Sequence, residues 1–199
     1  MLIQLRYFGT LIFILTLVMV TDVGAQSSPS RFSAGAMLMA GKGTMGNGLS
    51  DAPDRDMTFI PIGLFAGVNF KKFRVGLNYE YMMANQNTDP KDVANTNTSG
   101  IGTSIGTRLE YYSGVQSFGL VYRASTNYTL EKQTFSGVNA TYKGSGFSLQ
   151  YTRQIKNKIG FVIDYTTEEF TESLATANIK YNRFAIGLIF SNFTGSRGR

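Results

Sequence analysis

Eight charged side chains recur at alternate positions of otherwise apolar segments: Arg74, Glu80, Arg108, Glu110, Arg123, Asp164, Glu168 and Arg183. Four guanidinium groups and four carboxylates on one face could form ion pairs, line a polar path, or supply an acid/base couple. Counted from the nearest turns, Glu80, Arg123, Asp164 and Arg183 fall at similar heights. Neighbouring segments suggest Asp164 with Arg183 and Glu80 with Arg108 as pairs. A buried ion without a partner costs several kcal/mol, so the reading favoured here is a charge network that fills and stiffens an interior.

Catalysis lacks its usual residues. The chain has 199 residues with no His, no Cys and no Trp, which removes the common general base and the thiolate nucleophile. Adjacent carboxylates Glu168 and Glu169 read as a solvated rim. Asp51, Asp54 and Asp56 could hold Ca²⁺ only loosely and read as surface charge. No catalytic, cofactor or metal site is expected, and the protein is not expected to be an enzyme. The stretch from Gly41 to Gly48 is no phosphate loop, because no Lys-Ser/Thr and no helical pattern follow it.

The elements that position these charges alternate with period two. Ile60, Ile62, Leu64, Ala66, Val68 and Phe70 share one parity, Lys71 and Lys72 interrupt it, and Phe73, Val75, Leu77, Tyr79, Tyr81 and Met83 resume it. Side chains on a strand alternate faces, so this is a hairpin with one apolar face and one face of glycine and charge. The same grammar recurs, giving strands at about residues 32–41, 57–70, 73–84, 99–112, 115–130, 140–153, 158–170 and 178–193. Short breaks at Lys71–Lys72, Ser113–Gly114 and Lys156–Asn157 alternate with longer connections rich in Gly, Asn, Thr, Asp and Ser. Nine glycines, Gly63 and Gly106 among them, lie on the charged parity, where they leave room for large side chains in a narrow interior.

This pattern predicts an all-β, eight-stranded antiparallel up-and-down transmembrane barrel, with short turns at one end and long loops at the other. Its apolar parity would meet lipid. Phe70, Phe73, Tyr81, Tyr111, Phe118, Tyr128, Tyr151, Phe161, Tyr165 and Phe190 are expected to form its aromatic girdle. A soluble exported barrel of the lipocalin kind would turn that parity inward, where so many rings could hardly fit. A two-sheet sandwich would not need loops that alternate in length.

Residues 1–25 read as a signal peptide: Arg6, an apolar run from Leu11 to Val20, and small residues ending at Ala25, where cleavage is expected. Residues 26–199 would form the barrel domain. The run is too short for a membrane anchor. The net charge is +6, but basic residues are scattered singly, so no nucleic-acid partner is expected. A mean hydropathy of −0.07 does not contradict a membrane barrel, which averages a lipid face with a polar lumen.

In these features the chain resembles the small eight-stranded outer-membrane proteins of Gram-negative bacteria, of the OmpX, OmpA-barrel and OmpW types. The closing strand, Tyr181 to Phe193, looks like their C-terminal assembly signal, with Phe190 or Phe193 as its terminal aromatic. The resemblance implies an outer-membrane location, surrounding lipid and lipopolysaccharide, contact of the last strand with the barrel-assembly machinery, and a monomer. It also implies a structural or surface-interaction role through four loops, with a small-solute channel as the alternative. Enzymes built on such barrels use a histidine, which this chain lacks.

Overall fold

The computed structural model describes residues 32–46, 55–86, 99–131, 140–172 and 178–191. Eight antiparallel strands follow one another round a closed barrel: β1 (Phe32–Met45), β2 (Arg55–Phe70), β3 (Phe73–Gln86), β4 (Ser99–Ser113), β5 (Gln116–Glu131), β6 (Ala140–Lys156), β7 (Ile159–Glu172) and β8 (Asn178–Ser191). β8 pairs back onto β1, so the sheet has no free edge. Closure lets every strand find hydrogen-bond partners on both sides, which a sheet surrounded by hydrocarbon requires.

One row of paired residues runs Phe32, Val68, Val75, Leu109, Leu120, Leu149, Tyr165 and Phe184, and returns to β1 at Lys42, ten residues beyond its start. Eight strands with that shear tilt by about 40°. The row therefore climbs toward the long-connection end by about 3 Å per strand.

With the tilt included, the outward apolar side chains form a level band. It runs from Phe32 to Ala40 on β1, Phe70 to Ile60 on β2, Phe118 to Ala124 on β5 and Phe190 to Phe184 on β8. At about 3.3 Å per residue along a strand tilted by about 40°, these segments rise roughly 15 to 25 Å, reaching on β2 the height of the apolar band of an outer-membrane barrel. Leu77 (62 % exposed), Leu149 (61 %) and Ile105 (53 %) face outward within it. The apolar parity is thus outside, as a lipocalin-like interior would forbid.

Aromatics edge the band. Phe70, Phe73, Tyr111, Phe118, Tyr151, Phe161 and Phe190 lie toward the short turns, and Tyr81 and Tyr165 toward the long connections. Phe73 packs on Tyr111 with ring centroids 5.3 Å apart, and Phe118 on Tyr151 at 5.4 Å. Phe190 is half-buried. Phe193, residues 1–25, where a signal peptide is expected, and Asp51 and Asp54 lie outside the described residues, while Asp56 is an exposed residue of β2.

Two differences from the sequence expectation fall at the long-connection side. The strands continue past the expected ends at the long-connection side, β1 to Met45 and β3 to Gln86. Outward positions there are polar (Lys42, Thr44, Thr58, Ser145, Thr167, Asn182), so the apolar alternation stops while the hydrogen-bonded ladder goes on. The second difference is Tyr128, which is not in the girdle. It is only 1 % exposed and points into the lumen. Register shifts against β4 between Ile105 and Gly106, and against β6 between Arg123 and Thr126, mark a bulge in β5 at Ala124–Ser125. One extra residue reverses the faces of everything beyond it. Thr126 and Tyr128 turn inward, and Ser125 and Asn127, expected inside, turn outward.

The turns shift by one residue in two places, to Gly114–Val115 and Asn157–Lys158; the first stays at Lys71–Lys72. Gly114 takes a left-handed φ of 62°, which glycine tolerates, and Lys71 takes 53°. A bulge between Gln154 and Lys156 carries β6 further than its alternation suggests.

Candidate functional site

The lumen holds the chemistry. Among the described residues, eight charged side chains point inward, and they are Arg74 and Glu80 on β3, Arg108 and Glu110 on β4, Arg123 on β5, Asp164 and Glu168 on β7, and Arg183 on β8. Each is at most 2 % exposed. Four positive and four negative charges leave no net charge, and they divide into two layers.

The middle layer is centred on Glu80. Arg123 donates from Nη1 and Nη2 to Glu80 Oε1 and Oε2 at 2.9 Å each. Arg183 approaches the same carboxylate, donating from Nη1 to Oε1 at 2.9 Å and from Nη2 to Oε2 at 3.1 Å. Paired donors on a carboxylate give the strongest geometry available to an arginine. Arg183 also reaches Asp164 Oδ2 at 3.3 Å and Thr166 Oγ1 at 3.1 Å. Asp164 accepts from Thr166 at 2.7 Å and from Gln150 Nε2 at 2.7 Å. Arg123 Nε donates to Ser148 at 2.8 Å and lies 3.9 Å from Glu168, which accepts from Thr126 at 2.6 Å. The inward turn at the β5 bulge is what brings Thr126 to Glu168.

The four residues expected at a common height therefore meet, and Asp164 pairs with Arg183. Glu80 does not pair with Arg108. In the β3–β4 register Glu80 stands opposite Ser104, and Arg108 opposite Gly76, four residues or about 13 Å further along the strand. Glu80 is reached across the lumen instead, from β5 and β8. Arg108 pairs with Glu110 on its own strand, at 3.0 Å. Glu168 is buried in the lumen, and Glu169 is on the exposed outer face.

The lower layer, toward the short turns, is built differently. Arg74 Nη1 lies 3.6 Å from Glu110 Oε2, the oxygen that Arg108 also uses. The guanidinium carbons of Arg74 and Arg108 lie 4.9 and 4.7 Å from the ring centroid of Phe65, and Arg74 is 5.0 Å from that of Tyr112. Such stacking suits the weakly hydrated guanidinium. Ser117 donates to the other oxygen of Glu110. Gln150 joins the layers, accepting from Arg108 Nη1 and donating to Asp164.

Above the charges, the lumen closes on apolar side chains. Phe59, Tyr181, Phe170, Tyr142 and Tyr128 form a continuous chain of ring contacts with centroids 5.2 to 6.5 Å apart. Met45, Met57 and Met82 pack with them. Tyr181 donates to Met82 Sδ at 3.3 Å, and Arg183 to the same sulfur at 3.0 Å. Glycines make the space. A Cβ on Gly102 would stand 2.8 Å from the Tyr128 ring, and one on Gly63 would stand 2.6 Å from Met37 Cε.

Sequence reasoning missed Phe65, Tyr112, Gln150, Met82 and the upper rings. All but Tyr128 carry the inward parity of their strands, so the signal was present. An expectation that rings face lipid hides the aromatics, and Gln150 and Met82 carry no charge to mark them.

No protein-family model and no curated protein sequence matches this chain. Among solved structures, Neisserial surface protein A is similar with a TM-score of 0.55 and 15 % identity, over 82 % of this chain and 98 % of that one. The likeness is one of fold. This chain has the fold of a small eight-stranded barrel of the outer-membrane kind. Ail, the attachment invasion locus protein of Yersinia pestis, crystallised with the heparin analogue sucrose octasulfate, has a TM-score of 0.49 and 9 % identity, over 80 % of this chain and 97 % of that one. The outer membrane protease OmpT of Escherichia coli has a TM-score of 0.38 and 9 % identity, over 85 % and 99 %.

Proposed function

We propose that this protein is a monomeric outer-membrane barrel with a closed lumen, which holds the four connections 46–54, 87–98, 132–139 and 173–177 at the cell surface as an interaction module. The observation that carries this reading is the opposition of the two faces. An apolar band roughly 15 to 25 Å tall surrounds an interior in which Glu80 accepts four bonds from two arginines. Lipid and lipopolysaccharide are its surroundings, and the signal segment 1–25 is its route of export. The inward carboxylates are taken up by arginines and hydroxyls, so the interior supports a structural rather than a catalytic role.

The test combines two measurements on refolded protein. A heat-modifiable gel mobility is expected of the barrel, and a chain that stays soluble without detergent and shows no shift would contradict it. In a planar bilayer the wild type is expected to give no discrete conductance steps. Steps that persist in the wild type and change with Arg183→Ala would support a small-solute channel instead.

A further inference from the structure

The two charge layers are not neutral one by one. The middle layer sets Arg123 and Arg183 against Glu80, Asp164 and Glu168, while the lower layer sets Arg74 and Arg108 against Glu110 alone. Both lower guanidiniums converge on one carboxylate oxygen, and donors remain over. Arg74 Nε and Nη1, Arg108 Nη2 and the Tyr112 hydroxyl are buried without a hydrogen-bond partner. Buried polar groups in folded proteins nearly always have one, and a second positive charge on a single carboxylate calls for an anion.

The approach to this site is positive as well. Lys71, Lys72, Arg153, Lys156 and Lys158 lie at the short turns or within four residues of them. Among the described residues the one carboxylate within that distance of a short turn is Glu110, which points inward. Arg74 is the first inward side chain beyond the Lys71–Lys72 turn. A concentration of like charge at one end of the barrel raises the local concentration of its counter-ion.

We propose that Arg74 and Arg108 bind a phosphate-class oxyanion at the short-turn end of the lumen, with the Tyr112 hydroxyl as a third donor. Planar guanidiniums match such an anion geometrically. The site goes beyond the surface role above and does not depend on it. Its ligand could be free phosphate or the headgroup of an anionic phospholipid, which share this chemistry.

The experiment is calorimetric titration of inorganic phosphate into the barrel in phosphatidylcholine nanodiscs, at constant ionic strength. Saturable 1:1 binding is expected in the wild type, weakened at least about tenfold by Arg74→Gln and by Arg108→Gln. Lys72→Gln, at the exposed rim, should weaken it by no more than about threefold. Heat-modifiable mobility establishes that each variant is folded, and Arg74→Lys, which keeps the charge, should retain binding if the glutamine variant does not fold. Repeating the titration in phosphatidylglycerol nanodiscs separates the sources: binding lost to competition assigns the headgroup, and unchanged binding assigns free phosphate. No saturable heat in the wild type, or binding as tight as the wild type's in both glutamine variants, would overturn the proposal and leave an adventitious ion only.

Discussion

Strand β5 passes through two regions with opposite architecture, and the bulge at Ala124–Ser125 divides them. Below it, Phe118, Leu120 and Tyr122 face outward and Arg123 faces in, so the barrel is apolar outside and charged inside. Beyond it, Asn127 faces outward and Tyr128 faces in, the arrangement of an ordinary water-soluble barrel. The other strands change at the same level without a bulge, by changing their residues. On β6 the outward series goes from Phe147 to Ser145 and Lys143, and on β7 from Tyr165 to Thr167 and Glu169. A single ladder can serve both regions because the backbone pairing is indifferent to solvent, whereas each face follows the medium it meets.

The contrast can be tested by substitution on each side of the line. Glu80→Gln should have the largest effect, since it removes the carboxylate on which two buried arginines close. Breaking such a network typically costs about 3–5 kcal/mol, read as the free energy of urea unfolding in lipid vesicles. A loss below about 1 kcal/mol would mean that water reaches the middle layer. Tyr128→Ala, in the upper region, should cost roughly 3–4 kcal/mol as a core cavity does. An unchanged unfolding midpoint would place Tyr128 outside after all.

Leu120→Arg, on the outer face of the lower region, should cost about 2–4 kcal/mol if it meets the middle of the bilayer. Asn127→Arg, seven residues further along the same strand, should change stability by no more than about 0.5 kcal/mol. If the two arginine variants were equally stable, the boundary at the bulge would be wrong.

The sequence carries most of the lower region. In hydrocarbon the outer face admits few polar residues, so the hairpin around Lys71–Lys72 alternates cleanly, and Arg74 and Glu80 fall on the inward parity. The upper region is less legible for the same reason. Once both faces border on water or a packed core, Lys42, Thr44 and Gly43 no longer alternate in polarity, and β1 reads as ending near Ala40. Tyr128 misleads because a period-two count across Ala124–Ser125 cannot register one additional residue. The pairing of Glu80 was out of reach for a different cause. Adjacent strands can be guessed from chain order, but Arg123 and Arg183 reach Glu80 across the lumen, and that depends on barrel closure and shear. The basic residues at the short turns look scattered in the chain because the topology, not local spacing, gathers them.

Because the chain contains no cysteine, single cysteines for nitroxide labels can be introduced without other changes. Leu120→Cys and Asn127→Cys, each spin-labelled in phospholipid vesicles, test most directly the claim that the outer face of β5 leaves the hydrocarbon at its bulge. The label at 120 should collide with dissolved oxygen and be shielded from a water-soluble nickel complex, and the label at 127 should show the reverse. Equal accessibility to the nickel complex at both positions would contradict the account.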